Sequence, residues 1–187
     1  MNYAVLGLNC ALALVAGMAQ ADRAVPDKVS LIASLGLEPH VEGGYFARTF
    51  QPDLRPKVST PAGPRYTMTS IHYLLTDDSP VGHFHRNASD IVHFYHLGAP
   101  IHYFMLHPDG RLETAVLGPN LAAGERLQLT VLGGVWKASQ LPSGEYGLLS
   151  EAVAPGFDYA DMALGKRAAL LAEFPQHADI VRAFTRD

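Results

Sequence analysis

The sequence predicts one all-β domain, a sandwich or barrel of short strands, with a short helix before it and two helices after it. Three observations carry this. From Tyr66 to Val153, runs of β-branched, aromatic and aliphatic residues recur at short intervals, each closed by a turn signal. Apolar residues at helical spacing are confined to the two ends. The 187 residues, 48% hydrophobic and 17% charged, supply apolar material for one compact core rather than for two domains or a disordered tract.

The elements follow in order. From Ala4 to Ala19 the chain carries no charge, yet the run is too short for the roughly 20 apolar residues of a spanning helix. Ala19-Gln20-Ala21 supplies a small-x-small pattern directly before the polar Asp22-Arg23, so residues 1–21 are read as a secretory signal peptide and 22–187 as the mature domain. That reading places the protein in the periplasm or outside the cell, with no membrane association beyond export. No basic side chain precedes Arg23, which keeps a cytoplasmic location as the alternative. Cys10, the one cysteine, leaves with the peptide, so cysteine catalysis and disulfides are excluded from the mature chain. Val29, Leu31, Ile32 and Leu35 between Pro26-Asp27 and Gly36 predict a short helix.

Glu42-Gly43-Gly44 breaks the chain before the strand Tyr45–Phe50, and the four prolines from Pro52 to Pro64 predict a loop. Eight strands are then predicted: Tyr66–Thr76, Gly82–His85, Ile91–Leu97, Ile101–His107, Leu112–Leu117, Arg126–Leu132, Trp136–Leu141 and Tyr146–Val153. Helical spacing returns over Ala163–Phe174 and Gln176–Phe184, divided by Pro175.

A net charge of -4 offers no basic footprint for a nucleic-acid backbone or an anionic membrane. Histidine is the unusual residue. Nine are present, and seven (His72, His83, His85, His93, His96, His102 and His107) lie within 36 residues. On a strand, His83 and His85 point to one face about 6–7 Å apart along the chain, while Phe84 points to the other. Two such imidazoles can share a cation, and Asp90 or Glu151 can add a carboxylate, a donor set suited to Fe, Mn, Ni or Zn. Glu151 also interrupts an apolar strand, where a buried carboxylate needs a partner.

Gly82-His83-Phe84-His85 with Asp90 and Gly98 resembles the first motif of the cupins, small jelly-roll barrels. The stretches LGLEPHVEGGYFARTF, TSIHYLLT, GHFHRNASDIVHFYHLG, LGPNLAAGERLQ and SEAVAPGFDYADMAL are similar to the DUF985 (Cupin_5) family over nearly all of residues 28–175. The resemblance implies a single-domain jelly-roll barrel, a homodimer, and a small-molecule ligand inside the barrel, with no one shared reaction. Two departures bear on the metal. Lys137 stands where a metal-binding cupin's second motif has a histidine, and Asp90 stands where most cupins have Glu. A protonated amine is no metal ligand.

The resulting expectations are a divalent cation on His83, His85, Asp90 and Glu151, and a small organic ligand against Glu42, Tyr45, Arg48, His72, Trp136 and Lys137. His83 or His85 is then the base or metal ligand of an enzyme, with Tyr95 as acid and Tyr73 or Tyr103 as substitutes. The alternatives are a metal-free isomerase resembling the sugar-nucleotide epimerases, and a binding module with no catalysis. Few cations are available to grip a pyrophosphate, so an uncharged or singly anionic ligand fits better.

Overall fold

In a computed structural model of the chain, described over residues 25–187, the predicted barrel is formed by two antiparallel sheets packed face to face. The strands are β1 (Glu38–Pro39), β2 (Tyr45–Phe50), β3 (Val58–Thr60), β4 (Gly63–Arg65), β5 (Thr69–Thr76), β6 (Val81–Asn87), β7 (Asp90–Gly98), β8 (Ile101–Leu106), β9 (Leu112–Leu117), β10 (Gln128–Val131), β11 (Trp136–Gln140), β12 (Tyr146–Ala154) and β13 (Met162–Leu164). The helices are α1 (Lys28–Leu35), α2 (Arg167–Glu173) and α3 (Ala178–Ala183). One sheet runs β1-β2-β5-β12-β7-β10, the other β13-β6-β11-β8-β9. The proposed signal peptide lies outside the described residues.

Period-two alternation sends one side of each strand into the space between the sheets. Tyr73, Leu75 and Leu149 of the six-stranded sheet meet Ile101, Tyr103, Met105, Ala115 and Leu117 of the five-stranded one. Each such burial is worth about 1.5–3 kcal/mol. The outer faces are covered by the helices. Asp27 accepts the Ser30 backbone N–H at 2.7 Å and Gly36 closes α1 in the left-handed region, so the helix sets Leu31 on Leu74, Tyr146 and Leu148. At the other end, α2 and α3 lay Leu170, Phe174, Val181 and Phe184 over Phe84, Leu106, Trp136 and Ala138.

Two segments differ from the sequence expectation. The proline-rich stretch predicted as loop contains the hairpin β3–β4. Ala163 and Leu164, predicted as the start of a helix, belong instead to β13 (Met162–Leu164), and α2 begins at Arg167. The free edge of β6 explains this, since pairing Met162 with Asn87, Ala163 with Arg86 and Leu164 with His85 satisfies backbone groups that a helix start would leave open.

Candidate functional site

The site lies between the sheets, where the turn before β2, the inner faces of β2, β5 and β12, and the end of β6 converge. A narrow pocket is walled by Phe46, Ile71, Val153 and Phe157 and carries His40, Glu42, Arg48, Asn87 and Glu151 as its polar groups. Phe157 is held in place by donating its backbone N–H to Thr69 Oγ1 at 2.9 Å.

Glu42 is aimed inward by the two glycines that follow it. Gly43 has φ 107° and Gly44 φ 68°, and a Cβ on Gly43 would stand 2.0 Å from the Val81 carbonyl oxygen. The turn is clamped to β6 because the His83 backbone N–H donates to the Glu42 carbonyl at 2.7 Å. The Glu42 carboxylate, 7% exposed as a residue, then lies 3.2 Å from His85 Nε2 and 3.5 Å from His40 Nδ1. Burial by itself would raise its pKa, but His85, His40 and Lys137 around it hold it below the ordinary value. His85 Nδ1 meets the His83 carbonyl oxygen at 2.8 Å, which places a proton on Nδ1, so the contact of Nε2 with Glu42 becomes a hydrogen bond only when a further proton lies between them. Burial pulls His85 down to about 4, outweighing the lift from Glu42, so the ring is neutral at pH 7.

Behind the pocket stands a second buried group. Lys137 Nζ donates to His93 Nε2 at 2.8 Å and lies 3.4 Å from Glu151 Oε2, while His93 Nδ1 faces the Leu129 carbonyl at 3.3 Å. Lys137 is 3% exposed and His93 fully buried. Burial works against ionised Glu151, yet Lys137 and His93 outweigh it and hold the carboxyl far below its ordinary range. Tyr103 packs edge-on against His93 at 5.0 Å, its hydroxyl buried with no protein partner. Burial and then Glu151 push that phenol well up, so it stays protonated.

The sequence-predicted residues divide sharply. Glu42, Arg48 and Glu151 line the pocket, and His85 and Lys137 stand directly behind it. His83 does not join them. Lys137 pairs with His85 and Ser139 with Gly82, so β6 carries one extra residue, and His83 and Phe84 together oppose Ala138. Gly82 faces inward, where a Cβ would meet Tyr73 Oη at 2.8 Å, and Phe84 packs outward against the C-terminal helices. Burial, and then the Arg186 guanidinium, lower the pKa of His83. The expectation of two converging imidazoles is therefore corrected, because a β-bulge breaks the alternation it assumed.

Asp90 is exposed and its carboxylate accepts the Gly133 backbone N–H at 2.7 Å. Tyr45 pairs with the outward Leu74 and packs under α1. Trp136 is outward as well, with the Arg86 guanidinium 4.6 Å from its ring. Tyr95 gives its hydroxyl to the Gly98 carbonyl at the end of β7, and His72 faces outward beside His96. None of these five lines the pocket. Conversely, His40, Asn87 and Phe157 are not among the residues expected from the sequence, where His93 figures only as one of the clustered histidines. Asn87 had a visible signal, standing two residues from His85 on the same face.

Two face-to-face antiparallel sheets enclosing a polar pocket make a β-barrel with an internal site, the architecture of the cupins among others. Comparison agrees: the Cupin superfamily (DUF985) profile matches residues 29–165, and the chain belongs to that family. The uncharacterized protein YML079W of Saccharomyces cerevisiae is 39% identical over 144 residues, 70% of this chain and 71% of the yeast protein. A hypothetical protein from Leishmania major superposes with a TM-score of 0.81 at 30% identity, covering 87% of this chain and all of that one. Protein SO0799 from Shewanella oneidensis superposes with a TM-score of 0.78 at 35% identity, covering 87% of this chain and 99% of its own.

Membership raises the question of a metal, and the donor set answers it poorly. Of the four expected ligands only His85 and Glu151 lie inside, the His83 ring being turned out and Asp90 engaged at the surface. The lone pair of His93 is taken by Lys137, and although His40, Glu42 and His85 meet, no three His, Cys, Asp or Glu side chains among the described residues are arranged to hold an ion. A fixed cation on the Lys137 side chain occupies the middle of the interior carboxylates and would repel a second one. These residues do not fit the expected divalent ion.

Proposed function

We propose that this chain is a metal-independent cupin that binds a small, uncharged, hydroxyl-bearing organic molecule in the barrel pocket. The carrying observation is Lys137 Nζ, 2.8 Å from His93 Nε2 and 3.4 Å from Glu151, where it balances charge from within the protein. Charge arithmetic supports the ligand class. The polar lining and its backing comprise two carboxylates, Glu42 and Glu151, and two cations, Arg48 and Lys137, so the pocket as a whole favours neither an anion nor a cation. Its polar groups include three acceptors, the two carboxylates and Asn87 Oδ1, the last with no protein partner. Hydroxyl groups supply the matching donors, and Phe46 and Phe157 supply apolar faces for a carbon skeleton.

The same geometry supports one chemical step. A proton accepted by Glu42 from a ligand hydroxyl meets His85 Nε2 at 3.2 Å, so Glu42 serves as base and His85 shares the proton it takes up. The expected Tyr95 acid has no place in this reading. Calorimetric titration of chelator-treated protein with a panel of small polyols, their acids and their amines tests it. Saturable binding of neutral members, weakened at least tenfold by Glu42→Gln or Glu151→Gln, is the expected result; binding that appears only when metal is restored, or only for anions, overturns it.

Export and a homodimer belong to this proposal, the first supported by the uncharged run ending at Ala19-Gln20-Ala21 and the second by the family resemblance. N-terminal sequencing from the native host should start at or near Asp22, and light scattering should give twice the chain mass.

A further inference from the structure

Outside the barrel, a second histidine pair is brought together by a device the sequence does not reveal. β5 and β7 both flank β12, so their backbones lie about 9.6 Å apart, two strand spacings. Yet the rings of His72 on β5 and His96 on β7 approach to 6.3 Å between centroids, with planes at 87°.

Two features close the gap. Leu148 pairs with Leu97 and Leu149 with Tyr95, so His96 is an extra residue in β7, a bulge that re-aims its side chain. The residue of β12 beneath the two rings is the small Ser150, which pairs with His72 and whose Oγ hydrogen-bonds His96 Nε2. With Nε2–H donating to Ser150 Oγ, that bond fixes the orientation of the His96 ring and leaves the Nδ1 lone pair free, as an outer partner does for a metal-bound imidazole. His72 is half-buried and His96 exposed, so both are open to solvent.

We propose that His72 and His96 form a bis-imidazole site for a divalent transition-metal cation on the outer face of the six-stranded sheet. With a metal–nitrogen bond of about 2.0–2.1 Å, each ring centre stands about 3.2 Å from the cation, and two rings at a tetrahedral angle stand about 5.2 Å apart. The observed separation therefore needs about 1 Å of closure, within reach of side-chain rotation. Nitrogen donors without a carboxylate favour Cu, Ni or Zn over Mg, Ca or Mn. The remaining positions fall to water or to the same pair on a second copy of the chain.

Calorimetric titration of the untagged, full-length protein with ZnCl₂, NiCl₂ and CuCl₂ tests the site. The expected result is one saturable site, weakened at least tenfold in His72→Ala and in His96→Ala and unchanged in His102→Ala. Copper electron paramagnetic resonance should show two nitrogen ligands in wild type and one in each variant, with chelator-treated melting curves superimposable so that loss of fold is not the cause. One cation per chain or one per two chains both support the pair, the first with water and the second with a second copy. Affinities within twofold of wild type in both variants, or no saturable binding, overturn it.

Discussion

Replacing Lys137 with methionine removes the cation that lies 3.4 Å from Glu151 and 2.8 Å from His93 while nearly preserving side-chain length. Glu151 then remains a buried carboxylate without its main partner, and removing one member of a buried pair costs about 3–5 kcal/mol. The lower figure applies because Glu151 borders the pocket and water can reach it. At about 2–4 °C per kcal/mol for a chain of this size, the melting temperature should drop by about 6–12 °C at pH 7. The pH dependence carries more information than the drop. In wild type the Glu151 pKa is depressed, so the carboxyl contributes stability above its unfolded value of about 4.3, and that contribution is lost as pH falls through the folded value. In Lys137→Met burial becomes the leading influence and the shift reverses, so the folded protein takes up a proton more readily than the unfolded one. The gap between variant and wild type should narrow from pH 7 to pH 5. The double variant Lys137→Met/Glu151→Gln, with no carboxylate left to strand, should recover most of the loss. Calorimetric melting at pH 5, 6 and 7 measures all three. A single variant that melts at or above wild type at pH 7 would show that Lys137 does not balance Glu151, and the charge argument for an uncharged ligand would go with it.

Three further outcomes are expected. His85, held down to about 4 by burial, and His93, lowered by burial and Lys137, are neutral in the fold but protonate when unfolded below about 6.5, so stability is full above that pH and declines toward pH 4. His85→Gln should remove up to about 1.4 kcal/mol per pH unit of that slope, and a melting temperature flat from pH 7 to 5 in wild type would contradict it. Gly43→Ala should cost about 1–3 kcal/mol and abolish ligand binding, since a Cβ cannot sit 2.0 Å from the Val81 carbonyl and the turn carrying Glu42 must shift; an unaltered affinity would detach Glu42 from the site. His83→Ala should leave ligand affinity within twofold of wild type while His85→Ala lowers it, and equal losses would restore the converging pair that the bulge denies.

Much of the architecture was legible in the sequence because strand alternation and turn residues are local signals. Tyr66–Thr76, Ile101–His107 and Leu112–Leu117 were placed to within a few residues, Pro175 did separate two helices, and the family resemblance named the jelly roll. The Glu42-Gly43-Gly44 turn and the inward Glu151 were also visible, one as a break needing glycine and the other as a charge in an apolar strand. What the sequence could not show is any event that depends on two strands at once. The extra residue in β6 exists only as a mismatch with β11, and it alone turns His83 away from His85. The extra residue in β7 exists only against β12, at the point where His96 lies beside His72. Lys137 reads in sequence as a missing metal ligand, and only the neighbouring strands show it set between His93 and Glu151 as the cation itself. The sequence by itself determined the barrel, its covering helices and the residue types at its centre, because alternation, turns and helix ends are set within a few residues. The tertiary structure decided which of those residues meet, because register between strands is fixed by pairing and packing across the whole sheet.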